Sequence, residues 1–341
     1  MDKNYYEGLK DVKKAYCDMY PETEFLGEIE VKNIVDYNYE KSEKVCQLFS
    51  GGVDSVATFI SIKNLNPDLV TVWGSDIDIE NKSGWKKVEN FIKKFGKDNN
   101  IKNVIIKSNF RKFIIEGKLN DDYQKKLKVN YWFGIQHGLA LLSLVIPYAY
   151  KYKMKTIYIP SSFTNKDKNV RCASYPTIDE SIKYGGDIIH EGFKYNRQDK
   201  LKIITKYLKD KNDKNIKLRV CWEGVSGENC SHCEKCLRTI TGLYLLDTDP
   251  NKLGFKIEKN QIKDIIFSEK IILSNEFWQY LKNSANKNRE KFKNEDWINW
   301  LIDLDIEKYN IDMVNKRKNK NRIQKLKEKI KRHIKKYILK N

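Results

Sequence analysis

From residue 45 onward the chain alternates short apolar runs with stretches whose apolar residues recur every three or four positions. Val45-Cys46-Gln47-Leu48-Phe49 has the length and residue types of a buried strand, and Val53, Val56, Ala57 and Ile60 recur at helical spacing behind it. Pro67 stops that helix, and Leu69-Val70-Thr71-Val72-Trp73 reads as a second strand running into the acidic loop Ser75-Asp76-Ile77-Asp78. An amphipathic stretch over 84–95 leads into Val104-Ile105-Ile106. A long apolar helix from about Ile135, which Pro147 should kink or shorten, leads into Thr156-Ile157-Tyr158-Ile159. Repeated strand–helix–strand units of this kind predict an α/β fold, a mostly parallel sheet with helices on both faces. Ligands of such sheets bind outside the carboxyl ends of the strands.

The flanks are less regular. Residues 1–44 have no clear period and are expected to add a helix and an edge strand, while 247–314 is helical in flavour, with FWQYL and DWINWLIDL supplying aromatic faces for core packing. In the last stretch, 315–341, Ile323, Leu326, Ile330, Ile334, Tyr337 and Ile338 fall on one arc of a helix and lysines fill the rest. The predicted layout is therefore an N-terminal extension 1–44, a sheet domain 45–246, a helical region 247–314 and a basic amphipathic tail 315–341. No internal repeat is visible.

Charge changes the picture mainly at that tail. The formal net charge is +19, but residues 315–341 hold thirteen Lys or Arg against one Glu, which leaves 19 − 12 = +7 for the body. A tail of this kind suits an anionic membrane surface or an acidic protein partner, or it can dock as a solvated helix on its own protein. Nucleic acid is the less favoured partner, given the modest charge of the body, and a homodimer is open to the chain. The start, MDKNYYEGLKDVKKAY, has no apolar core of signal-peptide length, and the apolar stretch Leu139 to Ala149 is too short to span a bilayer. Seven cysteines, an odd number, fit a reducing compartment, so a soluble cytoplasmic protein is expected.

Two clusters carry chemistry. The first, Ser50-Gly51-Gly52-Val53-Asp54-Ser55, lies in the turn between the first strand and its helix. Adjacent glycines let backbone amides approach an anion, and the helix aims its positive end at the same point. The Ser50 and Ser55 hydroxyls can donate to phosphate oxygens, and Asp54 can hold magnesium or position a nucleotide. The plainer reading is a glycine turn with Ser50 or Asp54 as helix cap. No Gly-Lys-Ser/Thr follows, so this is not the P-loop that serves β/γ cleavage.

The second cluster, Cys221, Cys230, Cys233 and Cys236, has the spacing C-x8-C-x2-C-x2-C. Paired C-x2-C steps turn successive sulfurs toward one ion and a fourth thiolate closes a tetrahedron, leaving no open position for water. Structural zinc is the first reading, in the turn-rich setting of Gly227, Asn229 and Ser231, with an iron–sulfur cluster as the alternative. His232 is expected to stand aside. Cys17, Cys46 and Cys172 show no partner pattern; Cys172 is either a nucleophile or an inert buried thiol.

The SGGVDS string, with a strand before it and a helix after it, resembles the PP-loop of the ATP pyrophosphatase superfamily. Together with the cysteine cluster it is most similar to the 7-cyano-7-deazaguanine synthase branch, over roughly residues 44–245. The resemblance implies an adenine nucleotide alpha hydrolase-like, Rossmann-like fold, with ATP, magnesium and zinc as cofactors and residues 45–246 as the ATP-binding domain. It also implies that Ser50, Gly51, Gly52, Val53, Asp54 and Ser55 bind ATP phosphates, that Asp54 and Ser55 serve catalysis, and that Ser75 and Asp76 border the adenosine pocket. The implied activity is that of an AMP-producing ligase. It adenylates a carboxylate or amide oxygen for attack by ammonia or another small nucleophile.

Where that branch has an Arg-Asn pair this chain reads YWFGIQHGLA, and its substrate segment has only the partial echo Arg171-Cys172-Ala173-Ser174-Tyr175-Pro176, so a different substrate is expected. Candidates on the substrate side are Arg171, Asp179, His190, Glu191 and Arg197, in the polar loop expected between the fourth strand and the cysteines. A charged loop residue is more often solvated surface. His137 is expected to be core or helix-end polar packing. Two other functions fit the same features: a tRNA-modifying PP-loop enzyme, or a nucleotide-binding component of a defence or polysaccharide-biosynthesis assembly.

Overall fold

A computed structural model describes residues 1–211, 216–221 and 226–318, so the amphipathic arc of the tail lies outside the described residues. Helix α1 (Lys3–Met19) is followed by strand β1 (Val45–Leu48), α2 (Val53–Ile62), β2 (Asp68–Trp73), α3 (Lys82–Asn99), β3 (Asn103–Lys107), α4 (Glu116–Leu127), α5 (His137–Lys151), β4 (Thr156–Pro160), the single turn α6 (Pro176–Asp179), β5 (Asp187–Glu191) and α7 (Arg197–Lys211). The five strands form one sheet in the order β3-β2-β1-β4-β5, and every pairing is parallel. The chain thus builds outward from β1 to β3 and then returns to lay β4 on the other side of β1. The order reverses between β1 and β4, which in open parallel sheets is where a crevice forms at the carboxyl ends.

Strand alternation sends side chains to two helical layers. Cys46, Leu48, Val70, Val72, Ile157, Ile159 and Ile188 share one core with Val12, Ala15 and Tyr16 of α1, with Leu142, Val145, Ile146 and Ala149 of α5, and with Ile178 of α6. On the other face Phe49 packs against Phe95 of α3, which meets Phe59 of α2 edge-on. Helix α2 is buried at seven of its ten positions, between α7 and the sheet. An element buried on nearly all sides is rigid, and α2 carries the SGGVDS turn at its start.

Three expectations change. The edge strand predicted within 1–44 is absent; beyond α1 that segment makes a single bridge, Asp2 to Val35. Residues 187–191 are strand β5 and not loop, because pairing with β4 supplies the order that a run with only two apolar residues does not signal. Pro147 does not end α5, which continues to Lys151. With a π turn at Trp132–Gln136 before it, Trp132–Lys151 is helical throughout. By length and composition alone this stretch is long and apolar enough to cross a membrane, which the run Leu139 to Ala149 by itself is not, and its buried residues pack on the sheet.

The strands and their helices belong to a compact unit, Met1–Asn229 with Lys252–Gly254; a second comprises Cys230–Asn251 with Phe255–Asn341. In the second, α8 (Glu234–Tyr244), α9 (Gln261–Ser268), α10 (Asn275–Lys287), α11 (Asp296–Asp303) and a helical run over 306–318 enclose Leu237, Ile240, Ile266, Trp278, Leu281, Ile298 and Leu301. The aromatics of FWQYL and DWINWLIDL serve this core. Trp278 is fully buried and donates through Nε1 to the Glu234 carboxylate at 2.9 Å.

Candidate functional site

The SGGVDS turn sits on the carboxyl end of β1, at the order reversal of the sheet. Gly51 has φ +76°, a left-handed conformation that costs glycine little, and a Cβ there would lie 2.2 Å from Phe91 Cε1 of α3. Gly52 is the cap residue of α2 and no side chain caps the helix, so the capping reading of Ser50 and Asp54 does not hold. The first intrahelical bond is Val56 N–H to Gly52 O at 2.9 Å, which leaves the first-turn amides as donors at the positive helix end. Val53 is itself fully buried, and its side chain belongs to the core.

Side chains brace this loop from below. Ser50 and Ser55 bring their hydroxyl oxygens to 3.3 Å of each other, Ser55 Oγ donates to Gly52 O at 3.1 Å, and the Gly52 amide donates to Ser50 Oγ at 3.3 Å. Gln47, fully buried in β1, donates to the Ser55 carbonyl at 2.7 Å. The amide of Arg219 donates to Gly51 O at 2.8 Å, and its Nε donates to Ser50 O at 3.1 Å.

The same guanidinium lies 3.6 Å from Asp76. This ion pair ties the segment after β2 to the SGGVDS turn. Ser75 is itself held by Arg111, whose Nη1 donates to its carbonyl at 2.7 Å.

Cations dominate the surroundings. Arg197 lies 3.2 Å from Asp54 Oδ2 and Lys200 lies 3.3 Å from Asp54 Oδ1, with the two cationic side chains 8% and 1% exposed. Lys200 also donates to the carbonyl of Ser161, directly after β4. Arg219 is a third buried cation at the loop, paired with Asp76, and such cations suit an anionic ligand. Lys200 and Arg219 were not visible as site residues in the sequence. Neither lies in a motif, and sixty-five Lys and Arg give one lysine no distinction.

Among the described residues, Arg197 is the substrate candidate that the fold brings to the loop. Arg171 pairs with Glu22 and stacks over the Tyr20 ring. Asp179 and His190 form a pair at 2.7 Å with side chains 0% and 1% exposed, and Ser174 Oγ donates to the same Asp179 oxygen at 3.0 Å. Burial pushes the Asp179 carboxyl upward against the pull of the His190 ring. Glu191 ends β5 and its carbonyl accepts from the Ser161 amide at 2.9 Å. Cys172 is buried, and burial raises its thiol to about 12, which leaves it inert. His137 opens α5 and meets the Trp132 ring edge-on, as expected of helix-end packing.

The sulfurs of Cys221, Cys230, Cys233 and Cys236 all lie within 4.8 Å of one another. Cys230 and Cys236 are 3.9 Å apart, and the Cys233 amide donates to the Cys230 sulfur at 3.2 Å. Thiolates about 2.3 Å from a tetrahedral ion stand about 3.8 Å from each other. The group can therefore hold a metal such as zinc, and exposed His232 is outside it. No family model matches the chain, and no curated protein matches it.

Proposed function

We propose that the chain is a PP-loop ATP pyrophosphatase, an adenylating enzyme that converts ATP to AMP and pyrophosphate while activating a carboxylate or amide oxygen for attack by ammonia or another small nucleophile. The observation that carries this reading is the SGGVDS loop itself. Its left-handed Gly51 and the open first turn of α2 stand at the order reversal of a parallel sheet, ringed by buried Arg197, Lys200 and Arg219. In this reading the first-turn amides and the Ser50 and Ser55 hydroxyls hold the β- and γ-phosphates as a stabilised leaving group. Charge developing on the bridging oxygen as the α-phosphorus is attacked is met by donors already in place, the arrangement that commonly contributes most to such rates. Magnesium, when bound, adds charge neutralisation.

For the cysteine cluster we assign one structural zinc. A cluster of several irons shares its four thiolates among different ions and spreads them farther apart than the 4.8 Å within which all four sulfurs lie here. Seven cysteines without a disulfide suit a reducing, cytoplasmic setting. The test is separation of the nucleotide products after incubation with ATP, Mg2+, ammonia and a panel of small carboxylates. AMP and pyrophosphate are expected; ADP and phosphate overturn the reading.

A further inference from the structure

An aspartate in the first turn of a phosphate-binding helix poses a problem. Its carboxylate competes with the ligand for the positive helix end and repels it through a partly desolvated path. Asp54 occupies that position, with its side chain 20% exposed. The structure meets the problem with fixed counter-charges. Arg197 approaches one carboxylate oxygen and Lys200 the other, both from α7 and both nearly removed from water.

We infer that Lys200 is a positioning residue of the anion loop: with Arg197 it cancels and orients the Asp54 carboxylate, so that Asp54 acts as the anchor of a buried cation pair and not as the magnesium ligand. This rests on the reading of SGGVDS as a phosphate loop. Lys200 is placed for the role by its second bond, to the Ser161 carbonyl, which couples the first residue after β4 to the first turn of α2. The ammonium therefore joins the two strand ends, β1 and β4, that flank the order reversal. Two cations fixed on one carboxylate make a poor seat for a divalent ion, which requires oxygen-rich, net-negative coordination. A divalent ion would then have to be held by ligand oxygens and not by the Asp54 carboxylate.

The sequence alone reads Asp54 as a metal holder or a nucleotide positioner, and a charge-balance cycle separates the two. Pyrophosphate binding to the full chain is measured by calorimetry, with and without Mg2+, for Lys200→Met, Lys200→Arg, Asp54→Asn and the double variant, with thermal unfolding recorded for each. Lys200→Met, which lowers the net charge of the Asp54, Arg197 and Lys200 trio by one, is expected to weaken metal-free pyrophosphate binding by about tenfold or more, the scale of one charge-assisted hydrogen bond. Lys200→Arg should retain most of the affinity, and adding Asp54→Asn to Lys200→Met should restore most of it, because charge is removed in balance. The Mg2+ concentration for half-maximal enhancement should move by less than about twofold in Asp54→Asn.

A folded Lys200→Met that binds as the parent does overturns the inference. So does a double variant no better than Lys200→Met, or a Mg2+ requirement about tenfold higher in Asp54→Asn. A parent protein that binds neither pyrophosphate nor ATP instead overturns the phosphate-loop reading on which the inference stands.

Discussion

Gly51 is the residue at which backbone geometry and function meet most tightly. Replacing it with Ala places a Cβ on the Phe91 ring and strains a left-handed backbone, so Gly51→Ala should lose about 1–3 kcal/mol of stability in urea unfolding and lose nucleotide binding with it. A variant with native stability and native ATP affinity would show that the loop needs no glycine there. The buried Asp179–His190–Ser174 group makes a different prediction. Asp179→Ala strips the acceptor from two buried donors and should cost about 2–4 kcal/mol. Thiol chemistry supplies a third test. Burial raises both Cys46 and Cys172 to about 12, so at pH 8 each is overwhelmingly the unreactive thiol. Mass spectrometry after alkylation of the native protein should find Cys17 modified and Cys46 and Cys172 protected until denaturant is added. At this scale the glycines, the serines and Asp54 were legible because they are contiguous. Lys200 and Arg219 were not, because they reach the loop from 146 and 169 positions farther along the chain.

The elements that the sequence announced are those whose burial pattern is one-sided or complete. β1, β2 and β4 are apolar runs of strand length, and α2 follows its glycine turn at once. β5 was missed because Asp187-Ile188-Ile189-His190-Glu191 has too little apolar content to stand out, and its order comes from pairing with β4. α5 was visible by its apolar length, and Leu142 sits at its fully buried centre. Leu142→Ala should cost about 2–5 kcal/mol through lost transfer energy and a residual cavity, read by thermal or urea unfolding. The cysteine element was visible through spacing alone. Elemental analysis should find one zinc per chain, and a strong chelator or Cys233→Ser should lower the unfolding temperature, because metal binding and folding are coupled. Iron with sulfide, or undiminished stability without metal, would remove the zinc assignment.

Across the whole molecule, charge is unevenly placed, and deleting residues 315–341 removes a net +12. Proteins truncated after Val314 should bind anionic vesicles more weakly at low salt while keeping ATP turnover, since the tail carries no phosphate-binding motif. Loss of turnover in a folded truncation would put the tail in the active site. The sequence by itself determined an alternating α/β class, the position of a glycine turn between a strand and a helix, and four cysteines at ligand spacing. These are local properties, written in periods of two and three to four residues and in short fixed gaps. Tertiary structure alone decided that the sheet order reverses beside β1, that the polar run 187–191 is a strand, and that Asp179 and His190 close on each other out of solvent. It also decided that Lys200 and Arg197 converge on Asp54. Each of these depends on residues far apart in the chain, whose meeting is fixed by packing two helical layers on a sheet and leaves no period or spacing to read.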